Sequence, residues 1–95
     1  MIQTSNLIVM KEVETGVVIN YYSKISVAAI KITDGTISLG DTLIIYGYYV
    51  EVETCVNYME INHKSVIKAK KGESIGVCVP ERVRKGEVVC KIVPD

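Results

Sequence analysis

Asp34-Gly35-Thr36-Ile37-Ser38-Leu39-Gly40-Asp41-Thr42-Leu43-Ile44-Ile45-Tyr46-Gly47 reads as two short strands set between three turns. Asp-Gly and Gly-Asp supply the turns, because Gly accepts positive φ and Asp bonds its own backbone. Between them lie β-branched and apolar residues in runs too short for a helix. A chain that spends its residues this way builds a sheet from short, tightly turned strands.

Working outward, the same rhythm continues. Val17 to Tyr22 and Ile25 to Thr33 are strand candidates around a turn at Ser23-Lys24. Glu51 to Ile61 is a longer candidate. Its apolar phase changes sides near Tyr58, as a β-bulge or a strand shared between two faces would make it do. Asn62 to Lys71 is basic and turn-like, with Val66-Ile67 pinned inward. Ser74 to Val79 and Val88 to Val93 are the last two strands. Residues 1–15 read as a lead-in with a candidate strand at Leu7-Ile8-Val9-Met10, and residues 16–95 as one domain. Nowhere does an i, i+3, i+4, i+7 pattern persist, so the expected class is all-β. Alternation places Val17, Ile19, Val27, Ala29, Leu43, Ile45, Ile75, Val77, Val88 and Ile92 in the core.

The composition agrees. Ninety-five residues make one small domain. A hydrophobic share of 48% and a mean hydropathy of +0.27 exclude a disordered chain. No apolar run approaches the roughly 18 residues of a spanning helix. The N-terminus lacks the basic start of a signal peptide, so the cytoplasm is the expected compartment. Cys55, Cys78 and Cys90 are odd in number, form no C-x-x-C pair and sit in apolar stretches. They are expected to be reduced and mostly buried, without metal.

Charge sums to zero but is unevenly spread. Residues 1–61 carry three basic and seven acidic side chains; residues 62–93 carry eight basic and three acidic. Such asymmetry marks a surface for an anionic partner, or only solubilising lysines in loops. No G-x-x-x-x-G-K-(S/T) string occurs, so GTP binding is not expected. His63 is the only histidine, in a polar stretch, and no nucleophile–base set accompanies it. The chain is not expected to be an enzyme, nor to hold a cofactor.

Four segments in order resemble the second domain of the translational GTPases: the 34–47 hairpin, Val56-Asn57-Tyr58-Met59-Glu60-Ile61, Lys71-Gly72-Glu73-Ser74-Ile75-Gly76-Val77 and Arg84-Lys85-Gly86-Glu87-Val88-Val89. The nearest likeness is to stand-alone translation elongation factor-like proteins; a similar barrel is appended to some collagenase-like peptidases. The resemblance implies a closed six-stranded Greek-key barrel. It also implies a non-catalytic binding module contacting RNA, either tRNA or rRNA on the ribosome. In the family, a Glu and a basic residue three positions on lie near the end of aminoacyl-tRNA. Here these are Glu60 and His63, where His replaces the family's Arg. Beside them Lys64, Lys68, Lys70 and Lys71, and further on Arg82, Arg84 and Lys85, are candidate phosphate contacts, with binding that falls as salt rises. The alternative is a protein-interaction module docking onto a separate enzyme or GTPase. In it the outward ring of each pair Tyr21-Tyr22 and Tyr48-Tyr49, with Tyr58, would serve the interface.

Overall fold

A computed structural model gives the fold; it describes residues 9–95. Ten strands follow in order: β1 (Met10–Tyr22), β2 (Val27–Ile32), β3 (Thr36–Ser38), β4 (Thr42–Tyr46), β5 (Glu51–Cys55), β6 (Met59–Ile61), β7 (Lys64–Ser65), β8 (Lys68–Lys70), β9 (Ser74–Cys78) and β10 (Val88–Pro94). No helix long and apolar enough to cross a membrane occurs among the described residues. The domain is all-β, as the turn-rich sequence requires.

The hydrogen-bonded order is β5-β4-β10-β1-β2-β9-β6-β7, with β3 and β8 forming a separate two-stranded ribbon. This corrects the expectation of a closed six-stranded barrel: the two outer strands, β5 and β7, are not paired and the sheet stays open. The cause lies in the stretch that changes phase. The strand ends at Cys55, leaves the ladder through Val56–Tyr58, and restarts at Met59 to pair with β9 instead. Val56 and Met59 are both buried, so the interruption keeps the apolar side inward where a regular strand would have turned it out. Across the open seam the Thr54 hydroxyl donates to the Cys78 carbonyl at 3.4 Å.

β1 begins at Met10, so the sheet takes in part of the expected lead-in; Leu7 and Ile8 of the candidate strand lie outside the described residues. Met10–Glu12 pair only with Ile92–Pro94, and with this ribbon included the principal extents of the described residues are 53 × 30 × 21 Å. Two bulges interrupt β1, one between Glu14 and Gly16 against β10 and one between Val18 and Asn20 against β2.

The turns obey their sequence. Lys70 to Glu73 and Arg84 to Glu87 are the same device used twice. The Glu N–H donates to the carbonyl three residues back, at 3.0 and 3.2 Å. The Glu carboxylate in turn accepts from the backbone N–H of Lys70 or Arg84, at 2.8 Å in each case. The third residue, Gly72 or Gly86, has φ of 94°, the left-handed value that this turn demands and glycine supplies without strain.

The core contains Leu43, Ile45, Ile75 and Val77 as alternation predicts, and Ile30, Ile32, Ile37, Met59 and Val83 besides. In β1, β2 and β10 the register is one residue off the expectation. Val18, Ala28, Ile30 and Val89 point inward, while Val17, Ile19, Val27, Ala29, Val88 and Ile92 are half-buried or exposed. The cysteines also differ from expectation: Cys55 and Cys78 are exposed and Cys90 is half-buried. Each lies outward because its neighbour in the chain, Val56, Val77 or Val89, points inward. Burial together with Glu12 and Glu14 holds the Cys90 thiol pKa above its usual value. At pH 8, Cys55 and Cys78 should therefore react with a thiol reagent at least about tenfold faster than Cys90. Three equal rates in single-cysteine variants would contradict this exposure pattern.

Candidate functional site: an apolar groove on the outer face

The outward phase of β1, β2, β9 and β6 is unusually apolar for a face turned to water. Cross-strand pairing sets its rows: Tyr22 beside Val27 beside Cys78, then Asn20 beside Ala29 beside Gly76 beside Glu60. Ala29 and Gly76 are too small to fill their row, so the face sinks there into a groove of about 610 Å³. Ile19, Tyr22, Ile25 and Val27 form one wall, and Tyr58 and Glu60 the other. Ile25 is 65% exposed, Tyr58 50% and Tyr22 49%. A β-carbon at Gly76 would stand 3.3 Å from Val27 Cγ1, so the floor is deep there because it lacks a side chain.

The far end of the groove is polar. Ile61 and Lys64 pair across the two-residue loop Asn62-His63, whose φ values are 52° and 64°. Two consecutive left-handed residues make a type I′ hairpin turn. It carries Asn62 and His63 to the groove's rim. Glu60 is half-buried, and its Oε2 accepts a 2.7 Å hydrogen bond from the Tyr58 hydroxyl. That bond pushes the Tyr58 pKa up, because the phenol must keep its proton to donate to the carboxylate.

Of the residues selected from sequence as RNA contacts, Glu60 and His63 line the groove; of those selected for a protein interface, Tyr22 and Tyr58 do. The remaining candidates divide. Lys64 is in β7, Lys68 and Lys70 are in β8, and Lys71 follows in the turn before β9. Arg82, Arg84 and Lys85 lie after β9, where the Arg82 guanidinium stands 5.5 Å from the Tyr21 ring centroid. β9, roughly 17 Å long at 3.4 Å per residue, runs between the two basic segments in the chain. Backbone bonds fix the two ends, Gly72 N–H to the Ile32 carbonyl at one and Val79 N–H to the Ser26 carbonyl at the other.

The groove itself is not legible in the sequence, because alternation places Ile19, Val27 and Ala29 of its lining in the core. The tyrosine pairs also differ from expectation at one site. Tyr21 is half-buried and Tyr22 exposed as expected, but Tyr48 and Tyr49 sit in the β4–β5 loop with both rings out, 86% and 90% exposed. The opposite outer face, on β5, β4, β10 and the first part of β1, is acidic. Glu12, Glu14, Glu51 and Glu53 are exposed there, and the Tyr46 hydroxyl donates to Glu12, which pushes its pKa up to about 12.

No family model matches the chain. Over 80 residues it is 44% identical to an uncharacterized protease of Methanocaldococcus jannaschii, a stretch that covers 83% of this chain and 19% of the protease. The chain therefore spans about a fifth of the length of that relative. Among solved structures it resembles the C-terminal domain of a Geobacillus thermoleovorans protein assigned to the U32 peptidases. One crystal structure of that domain gives a TM-score of 0.75 at 12% identity, covering 82% of this chain and 90% of that one. Its selenomethionine variant gives 0.74 at 11%, covering 80% and 95%. These findings overturn the translation-factor reading and, with it, the RNA-contact reading. No translation factor is among these relatives. The Gly-Asp and Lys-Gly-Glu strings that suggested one are turn chemistry, which any small β domain with such turns can share. The chain has the fold of a U32 peptidase C-terminal domain, and its sequence relative is a protease several times its length.

Proposed function

We propose that this chain is a non-catalytic docking domain that binds a protein partner of the peptidase type through the outer groove, and that it does so in the cytoplasm. One observation carries the reading: Ile19, Tyr22, Ile25, Val27 and Tyr58 present a continuous apolar surface to water around a depressed floor. Apolar surface of this kind is costly to leave exposed and is typical of interaction sites, where aromatic residues supply most of the binding energy. The relatives support the choice of partner. In the M. jannaschii protease the matching stretch is one fifth of the polypeptide, which leaves four fifths for such a domain to pack against.

The test uses that protease with its matching stretch deleted, after circular dichroism has established that the truncated chain is folded. Calorimetric titration with the 95-residue chain should give saturable binding. Ile25→Asp and Tyr22→Ser should each weaken it by about tenfold or more, the loss typical of a central interface residue. Absence of heat at ~100 µM, or equal binding by both variants, would remove the groove from the docking role.

A further inference from the structure

The groove has a chemical polarity that docking of a flat apolar surface would not use. Its walls are apolar, but one wall ends in the Glu60 carboxylate. That carboxylate is oriented: the Tyr58 hydroxyl holds Oε2 at 2.7 Å, and the Glu60 backbone is paired on both sides, with Gly76 of β9 and Ser65 of β7. Among the described residues it has no cationic partner. The ion pairs found there join Lys11 to Asp95 and Lys91 to Asp41. Lys31 lies on the same face opposite Ser74, one row beyond the row of Ala29, Gly76 and Glu60, but on β2, two strands away from Glu60. A half-buried anion fixed beside a vacant apolar trough is complementary to a cation carried on an apolar chain.

Resting on the docking reading, we propose that the groove takes an extended polypeptide segment in which a Lys or Arg side chain stands beside apolar residues. The apolar side chains lie over Ala29 and Gly76 between Tyr22 and Tyr58, and the cationic head pairs with Glu60. The small floor residues set the depth, since any side chain at position 76 would lift the segment away from the sheet. Tyr58 is a positioning residue: it touches the segment with its ring and orients Glu60 with its hydroxyl.

The probe is an acetylated, amidated heptapeptide of alternating Val and Ser with one central Arg, titrated into the isotope-labelled 95-residue chain by NMR. Shift changes should concentrate at Val27, Ala29, Tyr58, Glu60 and Gly76. Replacing the peptide's Arg with Gln should weaken binding about tenfold, the usual size of a charge-assisted hydrogen bond. Glu60→Gln should weaken the Arg peptide by a similar factor and leave the Gln peptide unchanged, so that the two changes are not additive. A Gln peptide with a free amino terminus separates a terminal amine from a side-chain cation: the proposal expects it to bind no better than its acetylated form. Gly76→Val should abolish binding of every peptide; should that variant fail to fold, Ala29→Leu fills the same floor. Equal binding of Arg and Gln peptides, or shifts confined to other surfaces, would overturn the proposal. If Ile25→Asp abolishes docking onto the truncated protease while Glu60→Gln changes neither docking nor peptide binding, the docking reading stands and this one falls.

Discussion

Ile30→Ala should destabilise the domain by about 3–4 kcal/mol, whereas Val27→Ala, three residues earlier on the same strand, should cost about 1 kcal/mol or less. Ile30 is 0% exposed and packs into the main core. Truncating it removes three carbons from a close-packed site and leaves a cavity that the surrounding sheet cannot collapse into, because β2 is held in ladders by both β1 and β9. Val27 points the other way, into the groove wall, and its truncation exposes little. At roughly 4–8 °C per kcal/mol for a domain of this size, the midpoints should differ by about 8 °C or more. Urea titrations should show the same order with an unchanged slope, since neither substitution alters how much surface unfolding exposes. The inverse order would mean that β2 is in the opposite phase and that the groove is not outside.

This pair of variants also marks where the sequence could be read and where it could not. Register was legible in β4 and β9, where Thr42, Ser74 and Gly76 interrupt the apolar residues and identify the outward phase. It was illegible in Val17-Val18-Ile19, Val27-Ala28-Ala29-Ile30 and Val88-Val89, where both phases are apolar and alternation carries no information. In β1 the two bulges shift the phase again, and nothing in single-residue chemistry announces them. On the docking reading proposed above, the difficulty and the site have one cause: β1 and β2 are apolar on both faces because their outer face would also be buried, against a partner.

The turns were legible for the opposite reason, since glycines at 35, 40, 72 and 86 are tied to one backbone conformation each. The Asn62-His63 hairpin was not, because Asn-Gly is the usual type I′ pair and a histidine there gives no warning. Glu60 and His63 were selected through a resemblance that the relatives overturn, yet pairing of β6 with β9 brings them to the groove.

Gly16→Ala is expected to cost about 2–4 kcal/mol, as much as emptying a core site, although it adds a single methyl group. Gly16 is buried where β1 is paired on both edges, with Ile32 of β2 and Val89 of β10. A β-carbon there would stand 2.7 Å from the Lys31 carbonyl oxygen and 2.9 Å from Ile30 Cγ2. Contacts that short cannot be tolerated, and the first is to backbone, so relief requires β2 to move as a strand. Ile30→Val keeps Cγ2 available to rotate away and should recover only a minor part of the loss, because the carbonyl contact remains. Gly35→Ala is the control: nothing lies within 4 Å of its added carbon, but φ is 69°, so its cost of about 1 kcal/mol is conformational and Gly35→Asn should recover most of it. Urea titration ranks the four variants. The order matters for function, because β1 beyond Gly16 carries Ile19 and Tyr22 and β2 carries Val27 and Ala29. A displacement of β2 against β1 rearranges the wall that the two strands share and the Ala29 floor beside it, and so changes the shape of the groove. Gly16→Ala protein that is still folded at low temperature should therefore lose docking affinity while Gly35→Ala protein keeps it, with stability read by urea and docking by calorimetry on the same samples. Equal docking by both would mean that the strands can shift without altering the groove, and that its shape is not set where β1 crosses from one half of the sheet to the other.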